Sequence, residues 1–114
     1  MPYINVNTSK KLTEEKKNTL KQKLGELIAI IPGKSESVLM IKLNDEECIY
    51  YSGILKDNAA FVDIKIKGSA AFEIKKELTE SVFRAFGEQL GIDAADMFIT
   101  ISEFENWGFQ GTLL

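Results

Sequence analysis

Tyr3-Ile4-Asn5-Val6 and Phe61-Val62-Asp63-Ile64 stand 58 positions apart (from Tyr3 to Phe61) in a chain of 114 residues. In both stretches every second residue is apolar and β-branched, which predicts a half-buried β-strand with one face towards a core. One stretch lies near the start of the chain and the other in its second half. The spacing therefore divides the chain into two similar units.

A helical pattern follows each of these strands at the same spacing. Apolar residues three and four positions apart predict a first helix over Leu12–Ile31, which Pro32-Gly33 ends. The second predicted helix begins after the capping residue Ser69 and ends at Gly91. The matching positions are Leu20, Leu24, Ile28 and Gly33 with Leu78, Val82, Phe86 and Gly91.

Each unit ends in a second strand, predicted over Val38–Leu43 and over Met97–Ile101. These two strands match at a spacing one residue larger than 58 (from Val38 to Met97), which we interpret as one inserted residue. A strand–helix–strand unit of this length is typical of a right-handed crossover between parallel strands.

The sequence therefore predicts an α+β fold, in which duplicated β-α-β units form a four-stranded sheet with both helices on one face. We expect one domain over residues 1–114, with repeats of about 2–43 and 60–101. Short edge strands are predicted over Ile49–Ser52 and Trp107–Gln110. The sheet face without helices needs a partner to cover its apolar side chains, so we expect an oligomer.

The composition excludes several classes of function. The chain has 14 Lys and Arg against 17 Asp and Glu, with Arg84 as its only arginine, so it lacks the basic surface that nucleic acids need. It has no histidine, which removes imidazole catalysis and most zinc sites, and the single Cys48 cannot form an internal disulfide. No apolar run is long enough to span a membrane, and the first residues lack the pattern of a secretory signal, so we expect a cytoplasmic protein.

With histidine absent, Pro2 is the strongest candidate for a general base. Initiator Met is usually removed before proline, and the nitrogen of Pro2 would then be a free secondary amine. An α-amino group titrates near pH ~8, and burial or a nearby ammonium lowers its pKa further, because both disfavour the charged form. Since Pro2 begins a predicted core strand, the strand would hold this amine in one place.

These features together resemble the tautomerase superfamily, and within it the group of macrophage migration inhibitory factor and D-dopachrome tautomerase. The resemblance covers the whole chain and depends on the order and spacing of several short segments. They are Met1-Pro2, residues 4–8, Pro32-Gly33-Lys34, residues 64–68, Gly91-Ile92-Asp93 and Trp107-Gly108-Phe109.

The resemblance implies a homotrimer whose sheets face inward, with three active sites between subunits. It implies an isomerase that needs no cofactor and interconverts the keto and enol forms of small aromatic 2-keto acids such as phenylpyruvate, or of dopachrome-like compounds. The resemblance is also compatible with export from the cell, because some family members are exported without a signal peptide.

The resemblance assigns a role to individual residues. Pro2 corresponds to the catalytic base, and Lys34 to the lysine that binds the substrate carboxylate and lowers the pKa of the proline. The backbone N–H of Ile66 corresponds to a second donor to that carboxylate. Phe109 and Trp107 correspond to the wall over the substrate ring.

Two positions depart from the family pattern. Phe98 stands where the neighbouring subunit usually supplies a tyrosine, and Thr100 stands where an asparagine is usual. We expect both residues to lie in the substrate site and to change substrate preference or rate. Tyr50 or Tyr51 would be other sources of a hydroxyl group.

Two other functions stay open. A cytokine-like signalling or binding protein with a vestigial tautomerase pocket would explain Phe98, because such a protein does not need the missing hydroxyl. Dehalogenation, or isomerisation of dicarboxylates of the oxalocrotonate type, uses arginines to bind carboxylates, and Arg84 is the only one present.

Overall fold

The computed structural model describes residues 1–114, in which two α-helices lie between long strands. The helices are α1 (Glu14–Leu27) and α2 (Phe72–Leu90), and 3-10 helices span Ile28–Ile30, Glu36–Val38 and Ala94–Asp96. The strands are β1 (Pro2–Thr8), β2 (Met40–Asn44), β3 (Ile49–Tyr51), β4 (Ile54–Lys56), β5 (Ala60–Lys67), β6 (Met97–Phe104), β7 (Gly108–Phe109) and β8 (Thr112–Leu113). No helix combines the length and the apolar character that crossing a bilayer requires.

Four strands form one mixed sheet in the order β2-β1-β5-β6. β1 runs parallel to β2 and β5 runs parallel to β6, so each half of the chain is a parallel β-α-β unit. The two units join through antiparallel pairing of β1 with β5, from Pro2 opposite Ile66 to Thr8 opposite Ala60. The predicted α+β fold, with two helices and a four-stranded sheet, is confirmed.

The two faces of the sheet differ in what covers them. Alternate residues of β1 and β5 are buried with residues of both helices in one hydrophobic cluster of 17 residues. The opposite face carries no helix, and Met40 and Phe98 on it are 68% and 54% exposed. The helices therefore stabilise one face only, and the other offers apolar side chains to a partner.

α2 begins 58 residues after α1, and the 3-10 helix Ala94–Asp96 begins 58 residues after Glu36–Val38. The closing strands keep the same spacing, since Met40 lies opposite Tyr3 as Phe98 lies opposite Phe61. The inserted residue that we inferred from the sequence is therefore wrong.

The physical reason for that error lies in the apolar run that precedes β2. The run Val38-Leu39-Met40 is continuously apolar, so it has no alternation that would mark where the strand starts. Val38 belongs instead to a 3-10 helix, and β2 starts at Met40 and continues to Asn44. The last long strand also differs from its prediction, because β6 continues to Phe104.

The two short segments predicted as edge strands each form half of a hairpin. β3 pairs with β4 and β7 pairs with β8, and neither hairpin joins the four-stranded sheet of its own chain. The turns are Ser52-Gly53, with φ of 55° and 77°, and Gln110-Gly111, with φ of 50° and 86°. Two successive positive φ values define the tight turn whose twist suits a two-residue hairpin, and glycine adopts them at little cost.

The ends of α1 are set by local hydrogen bonds and differ from the predicted limits Leu12–Ile31. The Thr13 hydroxyl accepts a hydrogen bond from the Lys16 N–H at 3.2 Å, which starts the helix at Glu14. After Leu27 the helix tightens into a 3-10 turn, so its α-helical part is shorter than the apolar pattern indicates.

The N-terminus of α2 is held from across the fold, and Ser69 is not its cap. Ala71 occupies the cap position and has no side chain that could accept a hydrogen bond. The Glu103 carboxylate of β6 instead accepts from the Ala70 N–H at 2.7 Å and from Lys75 Nζ at 3.0 Å. The hydrogen bond from the Ala70 backbone, and then the one from Lys75, hold the pKa of Glu103 below its ordinary value.

We predict that Glu103→Gln lowers the thermal unfolding midpoint at neutral pH and has little effect in acid. A carboxylate with a lowered folded-state pKa stabilises the fold above its ordinary pKa, and this contribution is lost as pH falls through the lowered value. Thermal unfolding of both proteins at pH 7 and at about pH 3 measures the difference. Glu77→Gln, on the exposed side of α2, is the matched control, and an equal loss at both pH values would contradict the prediction.

Candidate functional site

A cavity of about 650 Å³ opens where β1 begins, beside the hairpin of β7 and β8. Its walls come from the start of β1, the turn before β2, the end of β5 and the C-terminal hairpin. The lining residues are Met1, Pro2, Tyr3, Ser37, Val38, Met40, Lys65, Trp107, Gly108, Phe109 and Gln110. This volume lies in the range that is usual for small-molecule sites, ~300–1,000 Å³.

Pro2 is the first residue of β1 and is buried. It lies opposite Ile66 in the antiparallel pairing with β5, so the strand ladder fixes its position. With Met1 attached, the Pro2 nitrogen is an amide and cannot act as a base. Whether Met1 is present therefore decides whether Pro2 can act as a base in this cavity.

Two lysines surround the Met1 backbone. Lys34 follows Gly33, whose φ of 80° turns the chain after the first helix, and its Nζ donates a hydrogen bond to the Lys67 carbonyl at 2.6 Å. The Lys67 N–H donates to the Met1 carbonyl at 3.1 Å. Lys67 is the last residue of β5, and this strand places it next to the chain terminus.

These neighbours lower the pKa of the Met1 α-amino group below its ordinary value of 8.0. Burial is the largest cause, followed by the positive charge of Lys34 and a hydrogen bond with its side chain, and then by the charge of Lys67. A neutral amine can accept a hydrogen bond from an ammonium and an alkylammonium cannot, so each cause favours the neutral form. This end of β1 therefore favours the uncharged form of an amine more than water does.

The structure brings together three of the residues that the resemblance assigned. Trp107 and Phe109 line the same cavity as Pro2. The Trp107 ring packs edge-on against Phe104 at 6.3 Å, and its backbone pairs with Leu114 across the hairpin. Lys34 is not among the lining residues, but its side chain interacts with the Met1 amine.

Ile66, Phe98 and Thr100 occupy different surroundings. The Ile66 side chain is completely buried in the core, and the backbone N–H that contacts the Met1 carbonyl is that of Lys67. Phe98 lies in a second cavity, and its ring stacks on Tyr51 at 5.3 Å. The Thr100 hydroxyl donates to the Asp63 carboxylate at 3.1 Å, on the sheet face without helices. A single chain does not bring Phe98 or Thr100 to Pro2.

Three neighbouring residues that line this cavity were not predicted from the sequence. They are Tyr3, Met40 and Lys65. Tyr3 lies opposite Met40 on one neighbouring strand and opposite Lys65 on the other. The alternation of β1 and β5 places Tyr3 and Lys65 on the face without helices, but only the register between strands shows that they are neighbours. Lys65 is the only charged side chain in the lining.

The arrangement can bind a small anion that carries a flat apolar group. Lys65 supplies a positive charge within the lining, and Lys34 lies beside the chain terminus. Trp107 and Phe109 supply aromatic surface against which a planar group can pack. A secondary amine at Pro2, once exposed, would open into the same cavity.

Comparisons with known proteins agree with this description. The family model described as macrophage migration inhibitory factor (MIF) matches residues 1–114. The solved structure of MIF2 from Leishmania major is similar with a TM-score of 0.89 at 24% identity, over 100% of this chain and 97% of that one. No curated protein sequence matches the chain significantly.

Two further solved structures share the fold. A fused 4-OT asymmetric trimer has a TM-score of 0.85 at 17% identity, over 96% of this chain and 94% of that one. Pt0534, solved after inactivation by 2-oxo-3-pentynoate, has a TM-score of 0.83 at 17% identity, over 96% of this chain and 93% of that one.

We predict that Lys34→Met raises the pKa of the α-amino group at the chain terminus towards its ordinary value. The substitution removes both a positive charge and a hydrogen bond that favour the neutral amine. The pH dependence of α-amine labelling by an acylating reagent measures the shift. Lys42→Met, on exposed β2, is the matched control, and an unchanged labelling profile in Lys34→Met would contradict the prediction.

Proposed function

The chain belongs to the macrophage migration inhibitory factor family, and we propose that it is a cofactor-independent keto–enol tautomerase whose general base is the amine of Pro2. The observation that carries the proposal is the position of Pro2. It is buried at the start of a core strand, opens into an aromatic-walled cavity, and adjoins a terminus where burial and Lys34 favour a neutral amine.

Removal of Met1 would activate this site in two ways. It would convert the Pro2 amide into a secondary amine beside Lys34 and Lys67. It would also remove the carbonyl to which the Lys67 N–H donates, leaving that N–H available to a substrate. The causes that lower the pKa of the Met1 amine, namely burial and the two ammonium groups, would then act on Pro2.

The proposed substrates are small aromatic 2-keto acids such as phenylpyruvate. The carboxylate would bind Lys34 and a backbone N–H group at the end of β5. The resemblance assigns this role to the N–H of Ile66, whereas the hydrogen bond to the Met1 carbonyl favours the N–H of Lys67. The ring would pack against Trp107 and Phe109.

Proton transfer in this arrangement needs no cofactor. For the conversion of enol to keto form, the neutral amine of Pro2 takes the proton of the enol hydroxyl and becomes an ammonium. That ammonium then delivers a proton to the adjacent carbon, which regenerates the neutral amine. Lys34 stabilises the negative charge that develops on the bound 2-keto acid. The rings of Trp107 and Phe109 exclude water from the reacting atoms.

The proposal includes a homotrimer of single-domain subunits. The 4-OT relative was solved as a trimer, and the exposed apolar side chains on the free sheet face of this chain favour association. In a trimer, Phe98 and Thr100 of a neighbouring subunit would complete the cavity at Pro2. Phe98 can do so because it packs on Tyr51 on one side while more than half of its surface stays exposed.

A binding protein with a vestigial pocket is the second candidate, and one observation favours it. Phe98 lacks the hydroxyl that the family usually supplies, and the Thr100 hydroxyl is already donated to Asp63. Neither residue therefore offers a free donor. Dehalogenation and dicarboxylate isomerisation are less well supported, because Arg84 lies on α2 and does not line the cavity at Pro2.

We predict that Pro2→Gly lowers kcat/KM for phenylpyruvate tautomerisation by about 100-fold or more, the usual contribution of a positioned general base. Intact mass must show that Met1 is absent in both proteins. In the wild type, kcat/KM should rise with pH through an apparent pKa below ~8, because only the neutral amine is a base. Equal activity in the two proteins would contradict the proposal and leave the binding protein.

A covalent probe supplies the control for this experiment. The 2-oxo acid 2-oxo-3-pentynoate carries an activated alkyne, to which a neutral amine can add without a leaving group, and the relative Pt0534 was inactivated by it. Trimmed wild-type protein should gain one equivalent of the reagent at Pro2. Protein that retains Met1 should gain none at Pro2, because that nitrogen is then an amide.

We also predict that Phe98→Tyr raises kcat/KM for phenylpyruvate by up to about tenfold, the effect of one added hydrogen bond of roughly 1.4 kcal/mol. Phe61→Tyr adds the same hydroxyl to the neighbouring ring and should leave the rate unchanged. A steady-state assay of both variants measures the effect, and equal gains in both would contradict the assignment of Phe98 to the substrate site.

A further inference from the structure

One lysine of the cavity at Pro2 has no role in the proposed proton transfer. Lys65 lies in β5, and it is the only charged residue among those that line the cavity. The residues opposite it in the sheet are Tyr3 in β1 and Ser102 in β6. Neither of them carries a carboxylate, so the neighbouring strands do not neutralise its charge.

The acidic residues of the chain leave the Lys65 ammonium unpaired. Asp63 lies two residues before Lys65 and therefore on the same face of β5, but its carboxylate accepts a hydrogen bond from the Thr100 hydroxyl at 3.1 Å. The four ion pairs of the chain are formed by other lysines, namely Lys17, Lys56, Lys75 and Lys76. The positive charge of Lys65 is thus available to a molecule that enters the cavity.

The position of Lys65 in the sheet makes an unpaired charge costly. β5 is an inner strand of the sheet, and Lys65 is half-buried on the face without helices. The proposed trimer would cover this face further. An ammonium group that loses water without gaining a partner is strongly unfavourable, so Lys65 needs an anion when the cavity closes.

Tyr3 supplies a second donor beside Lys65. The two residues are directly opposite each other in the antiparallel pairing of β1 with β5, and both line the cavity. Residues paired in this way have Cβ atoms about 5 Å apart, with their side chains on the same face. A phenol hydroxyl and an ammonium group can therefore donate hydrogen bonds to one anionic group between them.

Lys65 lies at a different place from the donors that we assign to the 2-keto acid. Lys34 Nζ is held at the Lys67 carbonyl, at the end of β5. Lys67 is two residues beyond Lys65, which is about 7 Å along a strand that rises ~3.3 Å per residue. The cavity therefore has positive charge at two places, and one carboxylate occupies only one of them.

We infer that Lys65 and the Tyr3 hydroxyl bind a second anionic group of the substrate. The preferred substrates are then aromatic 2-keto acids that carry another carboxylate on the ring, at the position opposite the keto acid group. This inference rests on the proposed function for the reaction and adds the substrate class. Lys65 determines specificity and takes no part in the proton transfer by Pro2.

Binding of two unreactive acids to full-length protein without Met1 tests the inference. 4-Carboxyphenylacetate and 4-carbamoylphenylacetate have the same shape and differ in one negative charge. The fluorescence of Trp107, the only tryptophan, follows their binding. The diacid should bind at least about tenfold more tightly, the effect of one charge-assisted hydrogen bond.

Three variants assign this preference to its residues. Lys65→Met should make the two affinities equal, Lys65→Arg should keep most of the preference, and Tyr3→Phe should lose part of it. Lys42→Met removes a lysine of β2 that does not line the cavity and should keep the full preference. Lys65→Gln should behave as Lys65→Met does if the latter does not fold.

Equal affinities in the wild type would overturn the inference, as would a preference that survives Lys65→Met. Equal affinities are also the result expected if a carboxylate of a neighbouring subunit pairs with Lys65. The ratio of kcat/KM for 4-carboxyphenylpyruvate to that for 4-carbamoylphenylpyruvate should follow the same pattern across the variants. Turnover of phenylpyruvate without a diacid preference overturns this inference alone. A diacid preference that depends on Lys65, in a protein that turns over no 2-keto acid, overturns the proposed function alone.

Discussion

The antiparallel pairing of β1 with β5 is the constraint on which the rest of the structure depends. It joins two parallel β-α-β units through their first strands, along the whole length from Pro2 to Thr8. Because the two units then face opposite ways, β2 and β6 become the outer strands and both helices lie on one face. The same pairing brings the end of β5 to the chain terminus and so places Lys67 beside Met1.

Positive charge is concentrated at the end of that strand pairing where Pro2 lies, because Lys34 and Lys67 are both near the Met1 amine. Lys34 Nζ donates a hydrogen bond to the Lys67 carbonyl, and the Lys67 N–H donates to the Met1 carbonyl, so these bonds keep the Lys34 ammonium and the Lys67 backbone beside the chain terminus. Burial of the Met1 amine, and then the positive charges of Lys34 and Lys67, disfavour its charged form, which is why the pKa of this amine is lowered. A carboxylate entering this region would pair with these positive charges, which is why the substrates that we propose are anions.

Much of the fold could be predicted from the sequence, because the alternation at Ile4 and Val6 and the helical spacing of Leu20 and Leu24 are local signals. The start of β2 could not, because the apolar run through Val38 carries no period. The cap of α2 also escaped prediction, since its donor is satisfied by Glu103 from a distant strand. The candidate site shows the same division. Pro2 is visible in the sequence as a residue, whereas the pairing of Tyr3 with Met40 and Lys65 depends on strand register, and a single chain leaves Phe98 in a different cavity from Pro2.

A polypeptide has one amino terminus, however many times its fold is repeated. The two halves share a backbone plan, but the peptide bond that links residues 59 and 60 denies the second half a reactive amine. Connectivity alone therefore makes the halves chemically unequal, even where their geometry matches.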